Sequence, residues 1–301
     1  MSKKTNPVIY RLGINKIWKT EFFEKKNHEL PLYIFKDLEI KSYIERILQN
    51  NEILLHDYRQ HYNNSTLNLY ISYFVTPEFV LTRKDVPKKV IFRNANEQQK
   101  TIKKIIQTNP YYFSNSINKK LNNSSISNLK TEGVFDQIFK VLNLFINDRL
   151  IININFYCIN KNLYFLKPTK KKTFLSLQKF KSTFFFKEGI ELLFYIVYNK
   201  HSANLLAKFI AFQFKKVKRH KFLLSFIKQA LILLLNSNLT RLKGMKITIK
   251  GRLNGVPRAK SKIILIGDIP VQSISIKIDY AQTVVHNSNG SYGIKVWLVE
   301  K

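Results

Sequence analysis

Apolar positions in this chain follow two rhythms: a period of two near the C-terminal end and a helical period in the segments before it. In residues 245–250, Ile247 and Ile249 alternate with Lys246, Thr248 and Lys250. Residues 263–266 are continuously apolar, Ile274, Ile276 and Ile278 alternate with Ser275 and Lys277, and Ile294, Val296 and Leu298 alternate with Lys295, Trp297 and Val299. Period two with β-branched enrichment predicts four half-buried strands, punctuated by Gly251, Gly255, Gly267, Gly290 and Gly293. Upstream, Leu206, Ile210, Phe214 and Val217, then Phe222, Phe226, Ala230 and Leu234, space as two helical faces within residues 203–236. Stripes this broad require a sheet to cover them, and the four strands supply it.

The first half of the chain mixes the same periods. Leu38, Ile40, Ile44, Ile47 and Leu48 form one stripe of a helix over residues 36–48. Leu67, Leu69, Ile71 and Tyr73 alternate as a strand, Ile102, Ile105 and Ile106 mark a helix, and Ile152, Ile154 and Phe156 alternate as a further strand. Residues 108–132 are rich in Asn and Ser and read as a weakly ordered insertion. Residues 169–202 form a cationic, phenylalanine-rich block, with Lys170, Lys171 and Lys172 ahead of Phe180, Phe184, Phe185 and Phe186 and a helix over 191–198. Such a block either stacks on unpaired bases or makes a satellite core facing a neighbour. The expected class is α+β, with an N-terminal segment and helix (1–60), an α/β domain interrupted by an insertion (61–168), the Phe-rich insertion (169–202) and a domain of two helices on a mainly antiparallel four-stranded sheet (203–301).

Charge narrows the function. The 301 residues hold 51 Lys plus Arg against 19 Asp plus Glu, a net charge of +32. A field of that size favours a polyanionic partner, nucleic acid before an anionic membrane surface. No run approaches the roughly 20 apolar residues that span a bilayer. The opening residues show no signal-peptide core and no presequence, and the heavy use of Asn, Ile, Lys and Phe fits an organelle-encoded protein, so mitochondrion is the expected compartment. The lone Cys158 excludes an internal disulfide, and the six histidines lack metal-ligand spacing. No P-loop, nucleophile elbow, zinc-protease or dinucleotide motif is present. The chain reads as a binder that is not an enzyme, with no cofactor, no metal and no small-molecule substrate.

Three separated stretches carry a resemblance. Residues 244–255 read GMKITIKGRLNG, residues 267–280 read GDIPVQSISIKIDY and residues 292–297 read YGIKVW. In that order they resemble the C-terminal domain of the ribosomal protein S-three family, a universal protein of the small-subunit head. Residues 203–236, from ANLLAKFIAFQF to FIKQAL, continue the likeness, and Asn6-Pro7, Arg11-Leu12-Gly13 and Trp18 resemble the family's opening segment. The resemblance implies a KH domain within 61–168, whose Gly-x-x-Gly loop clamps single-stranded nucleotides. Here residues 77–85 contain no glycine, so a degenerate KH fold is expected, with Arg83, Lys84, Lys88 and Lys89 meeting phosphates without reading bases. An ordinary solvated basic loop has the same composition.

The resemblance also implies that residues 251–262 face ribosomal RNA, through Arg252, Arg258, Lys260 and Lys262. The bacterial form carries an arginine pair shortly before the position of Lys228, near where messenger RNA enters the ribosome. Leu224 and Ser225 stand there in this sequence, and the cationic break of Lys215, Lys216, Lys218, Arg219 and Lys221 is expected to substitute. Arg11 and Lys19 complete the RNA-binding set. Asp279 reads as a hydrogen-bonding residue at a strand end. The expected function is a structural constituent of the mitochondrial small subunit, binding rRNA, lining the channel by which mRNA enters, and neighbouring the S-ten and S-fourteen families. A free organellar RNA-binding factor, in splicing or mRNA binding, is the alternative, and a peripheral membrane protein using the Phe-rich block is a third.

Overall fold

A computed structural model describes residues 5–26, 28–63, 65–76, 89–93, 129–146, 150–160, 175–198, 202–217, 219–236, 240 and 242–300. The chain forms two compact units, Lys19–Lys161 and Met1–Trp18 with Asn162–Lys301, so residues 1–60 are shared between them. Both are α+β.

The Lys19–Lys161 unit is built on β1 (Thr20–Glu21), α1 (Leu30–Asn50), β2 (Ile53–Tyr62), β3 (Thr66–Val75), β4 (Lys89–Arg93), α2 (Leu129–Ile146) and β5 (Ile151–Cys158). Its strands lie in the order β1-β2-β3-β5-β4. The β3–β5 pair is parallel, whereas β2–β3 and β4–β5 are antiparallel. Period-two alternation buries Leu67, Leu69, Ile71 and Tyr73 of β3 beside Ile152, Ile154 and Phe156 of β5, as the sequence predicts. Ile40, Ile44 and Leu48 of α1 join the same core. So do Phe135, Ile138, Leu142 and Ile146 of α2, with the Phe135 and Phe156 ring centroids 4.5 Å apart. Helix α2 is not foreseen by the sequence reading, and its first turn occupies the end of the expected insertion at 108–132. The rest of that insertion, the helix around 102–106 and the loop bearing Arg83, Lys84 and Lys88 lie outside the described residues.

The second unit contains α3 (Phe186–Tyr198), α4 (Ala203–Lys216), α5 (His220–Leu235), β6 (Leu242–Gly251), β7 (Lys260–Gly267), β8 (Ile278–Asn287) and β9 (Gly290–Glu300). The sheet is antiparallel throughout, in the order β7-β6-β9-β8. Ile247 pairs with Ile264 on one side and Val296 on the other, and all three are buried on the face covered by α4 and α5. Ser202 starts α4 by accepting a hydrogen bond from the Leu205 amide at 3.2 Å, an N-terminal cap for an otherwise orphaned donor.

Two expectations are corrected here. The Phe-rich block is no satellite: Phe180, Phe185 and Phe186 surround Phe226 of α5 at 5.6, 5.4 and 6.0 Å between centroids. Helix α3 is buried almost all round, and residues 175–198 belong to the main core of this unit. The strand expected at 274–278 begins only at Ile278 and runs on to Asn287. Residues 271–276 instead follow an irregular path whose carbonyls are held by the N-terminal segment. Arg11 donates from Nε to Ile276 O (2.9 Å), from Nη2 to Val271 O (3.0 Å) and Ser273 O (2.5 Å), and from Nη1 to Pro7 O (2.7 Å). Asn15 Nδ2 adds Ile274 O and Ser275 O, both at 3.1 Å. A planar guanidinium suits several carbonyls at once, so these residues need no ladder partner to satisfy their acceptors.

Candidate nucleic-acid interface

The interface is assembled where α4 gives way to α5 and where β6 turns into β7. Helix α5 begins at His220 without a capping side chain from Arg219, so its first amides need partners from elsewhere. Asn254 provides one: its Oδ1 accepts from the His220 amide at 2.9 Å. In return the Asn254 amide reaches His220 Nδ1 at 3.4 Å, which requires that ring nitrogen to be unprotonated. Asn254 adopts a left-handed conformation, φ 57°, which asparagine tolerates better than most residues.

The His220 ring is fully buried, stacked on Phe214 at 4.4 Å and 9°, with Tyr292 edge-on at 5.2 Å. Burial lowers its pKa from the ordinary histidine value, and a backbone hydrogen bond to Phe214 opposes the shift. Tyr292 in turn donates to Arg252 O at 2.9 Å. One neutral histidine therefore ties the start of a helix to the loop between two strands.

That tie brings two cation clusters together. A groove of about 340 Å³ is lined by His220, Lys221, Leu224, Leu253, Asn254, Val256, Lys260, Ser261 and Lys262. Lys260 and Lys262 are opposite Gly251 and Ile249, so they share the helix-covered side of edge strand β7 with Ile264. Lys221, Lys260 and Lys262 are all exposed. Lys228 is exposed seven residues beyond Lys221 on α5, about 10 Å further along the axis. Cations spread along a surface with apolar walls suit the phosphates of a folded RNA.

Comparison with known proteins bears on this unit. The family described as "Ribosomal protein S3, C-terminal domain" matches residues 223–298, which run from α5 through β9. Residues 223–298 are similar to an S3 C-terminal domain. Similar curated proteins include the small ribosomal subunit protein uS3c of Guillardia theta, 33% identical over 96 residues, 32% of this chain and 42% of that protein. The uS3c protein of Oryza sativa is 38% identical over 96 residues, 32% of this chain and 37% of that protein. The uS3 protein of Fusobacterium nucleatum subsp. nucleatum is 43% identical over 56 residues, 19% of this chain and 26% of that protein. The matches thus span less than half the length of these relatives.

Within the S3 domain the expected RNA-binding residues have different fates. Arg252 and Arg258 are exposed, although Arg252 Nε donates to Val256 O at 3.0 Å and so braces its own loop. Just before the matched residues, Lys215 and Arg219 are exposed, while Lys216 Nζ sits 4.1 Å from the Phe212 ring centroid and 5.3 Å from that of Phe184. Lys218 lies outside the described residues. Leu224 is buried and forms a wall of the groove, so the helix offers no cation there and Lys221 is the nearest.

Arg11 is a correction. It is 2% exposed, and burial lowers its pKa. With its guanidinium committed to four carbonyls it fixes the path of residues 271–276 and has no face for a phosphate. Lys19 belongs to the other unit, where it pairs with Asp57 at 3.1 Å. Burial pushes the Asp57 carboxyl up, but Lys19, Arg59 and His56 together hold it below the usual carboxylate range. Lys89 starts β4. Asp279 accepts from Lys16 Nζ at 3.0 Å and from the Ala203 amide at 2.7 Å, the strand-end role expected of it.

The sequence reading did not single out His220 and Asn254 as positioning residues. The signal available was Asn-Gly at 254–255, a turn dipeptide that does not name its partner. Among the described residues no helix is long and apolar enough to cross a membrane, and no group of three or more His, Cys, Asp or Glu could hold a metal ion.

Proposed function

We propose that this protein is a structural constituent of the mitochondrial small ribosomal subunit and no enzyme, seated in the head, where it binds rRNA and lines the channel by which mRNA enters. The observation that carries the reading is the groove of the S3 C-terminal domain, in which Lys221 of α5 meets Lys260 and Lys262 of β7. The net charge of +32 supports a polyanion as the main partner. Composition, in particular the weight of Asn, Ile, Lys and Phe, favours the mitochondrion. In this reading residues 61–168 are a degenerate KH-like domain whose basic residues Arg83, Lys84, Lys88 and Lys89 touch phosphates. Proteins of the S-ten and S-fourteen families are its neighbours.

The test replaces Lys221, Lys260 and Lys262 with Ala and follows the chain through sucrose gradients of organellar small subunits. We expect reduced incorporation, and a salt dependence of rRNA binding shallower by about one counterion for each phosphate left without its lysine. Undiminished incorporation would remove the groove from the mechanism. Release of the wild-type chain from subunits at modest salt would replace the ribosomal reading with that of a free RNA-binding factor.

A further inference from the structure

The S3 sheet has a second face. Pairing register places Lys246, Thr248 and Lys250 of β6, Ile263 and Leu265 of β7, Lys295 and Trp297 of β9, and Tyr280 of β8 on the side away from α4 and α5. Towards the end where residues 268–277 cross from β7 to β8, Ile278 and Val299 are buried. Beyond it, among the described residues, no helix covers the face: Ile263 is 57% exposed, Leu265 59% and Val284 56%, while Thr248 is buried between its neighbours' side chains. Next to that buried end stand two half-buried aromatic rings, Tyr280 of edge strand β8 and Trp297 of β9, 5.1 Å apart with a tilt of 49°. Lys246 Nζ hangs 5.4 Å from the Trp297 centroid, Lys295 lies two residues before Trp297 on β9, and Lys250 lies further along β6, opposite Gly293. The remaining positions of this open face are Gln282, His286, Ser261, Ser291 and Gly293, so no carboxylate stands on it.

We propose that this open sheet face is a stacking platform for unpaired RNA bases. It is separate from the groove, which lies on the helix side of the same sheet. The proposal rests on the reading of the chain as an RNA binder and deepens it by naming the form of RNA taken. Aromatic rings on the open face of an antiparallel four-stranded sheet offer flat apolar surface to bases, whatever their identity. The lysines answer the phosphates between successive bases. The absence of carboxylates removes the repulsion that a strand of phosphates would meet. Duplex RNA, whose bases are already stacked on one another, gains nothing from the rings.

Trp297 is itself the probe. The chain has two tryptophans, so Trp18→Phe leaves one emitter. In that background a ten-nucleotide oligouridylate is titrated into the full-length protein and compared with an RNA duplex of equal length. We expect the single strand to quench Trp297 and the duplex to leave it largely unchanged. Binding of the single strand, followed by fluorescence anisotropy of a labelled strand, should weaken roughly tenfold or more in Tyr280→Leu, because a base–aromatic stack is removed. Should Tyr280→Leu fold poorly by circular dichroism, Lys246→Gln with Lys295→Gln keeps both rings and should flatten the salt dependence of single-strand binding.

Quenching by duplex and single strand alike, or unchanged single-strand affinity in these variants, overturns the platform. Tighter binding of polyglutamate than of oligouridylate through the same residues also overturns it, and makes the face a dock for an acidic protein. The groove variants Lys221→Ala, Lys260→Ala and Lys262→Ala separate the two readings. If they weaken RNA binding while the platform variants do not, only the platform falls. If the wild-type chain binds neither RNA at low salt, the RNA reading falls with it.

Discussion

His220 shows how one side chain can organise a charged surface while carrying no charge itself. Its ring is buried against Phe214 and Tyr292, and its Nδ1 must stay unprotonated to accept from Asn254. Because burial lowers the folded-state pKa below the ordinary value of 6.5, the unfolded chain binds the proton first on acidification. Stability from this residue is therefore complete above about pH 6.5 and declines as pH falls from there through the folded pKa. We expect the melting temperature of the wild type to drop between pH 7 and pH 5 by more than that of His220→Phe, which keeps the stacking and cannot titrate. At pH 7 the variant should start lower, since the Asn254 amide loses its acceptor; parallel melting curves over a pH series check both points. The sequence shows cations plainly but not whether they are free. Lys221, Lys228, Lys260 and Lys262 are exposed as expected, whereas Arg11 is enclosed by carbonyls contributed by residues some 260 positions away, a distance that no local pattern encodes.

Helix α3 depends on a glycine for its packing. A Cβ at Gly189 would come within 2.7 Å of Cε1 of Phe226 and 3.3 Å of Cζ of Phe209, so the bare backbone is what lets α3 approach α5. Gly189→Ala gains roughly 0.5–1 kcal/mol of helix propensity. Overpacking against rings that are themselves enclosed costs about 1–3 kcal/mol, and the net change should be destabilising. Gly133 in α2 is the contrast, since a Cβ there meets nothing within 4 Å. Gly133→Ala should stabilise by about 0.5–1 kcal/mol, and urea denaturation of the two variants distinguishes the cases. Elements with a clean period are legible in the sequence: β3, β5, β6, β9, α4 and α5 fall where alternation or helical spacing puts them. Helix α2 escapes because it starts inside an Asn/Ser-rich stretch, even though Phe135, Ile138, Leu142 and Ile146 carry a helical stripe. Ile274, Ile276 and Ile278 mislead in the opposite direction, since period two cannot show that Arg11 and Asn15 satisfy the carbonyls of that segment in place of a neighbouring strand.

On the scale of the whole molecule, the unit that holds the groove is discontinuous: residues 5–18 complete a body otherwise made from the last 140 positions of the chain. Arg11→Ala should lower the stability of this unit by about 2 kcal/mol or more, because several charge-assisted hydrogen bonds to part-buried carbonyls disappear. Arg11→Lys should recover little of it, since a single ammonium cannot reproduce the planar fork. Thermal melting reads the total, and hydrogen exchange at residues 271–278 should report the local loosening. Composition and charge favour a polyanionic partner, and the resemblance in residues 244–297 falls within the stretch that matches the S3 C-terminal domain. The joining of the two ends is hidden because it is held by side chain to backbone hydrogen bonds, in which one partner has no sequence identity at all. Protein synthesis gives that closure a consequence in time. The opening residues leave the translating machinery first, yet their binding site does not exist until Val271 and its successors have been made. This unit therefore closes only once residues 271–276 have been made, by when the Lys19–Lys161 body has had the opportunity to fold, and a nascent chain halted before residue 271 would leave Arg11 with Pro7 O alone of its four carbonyls.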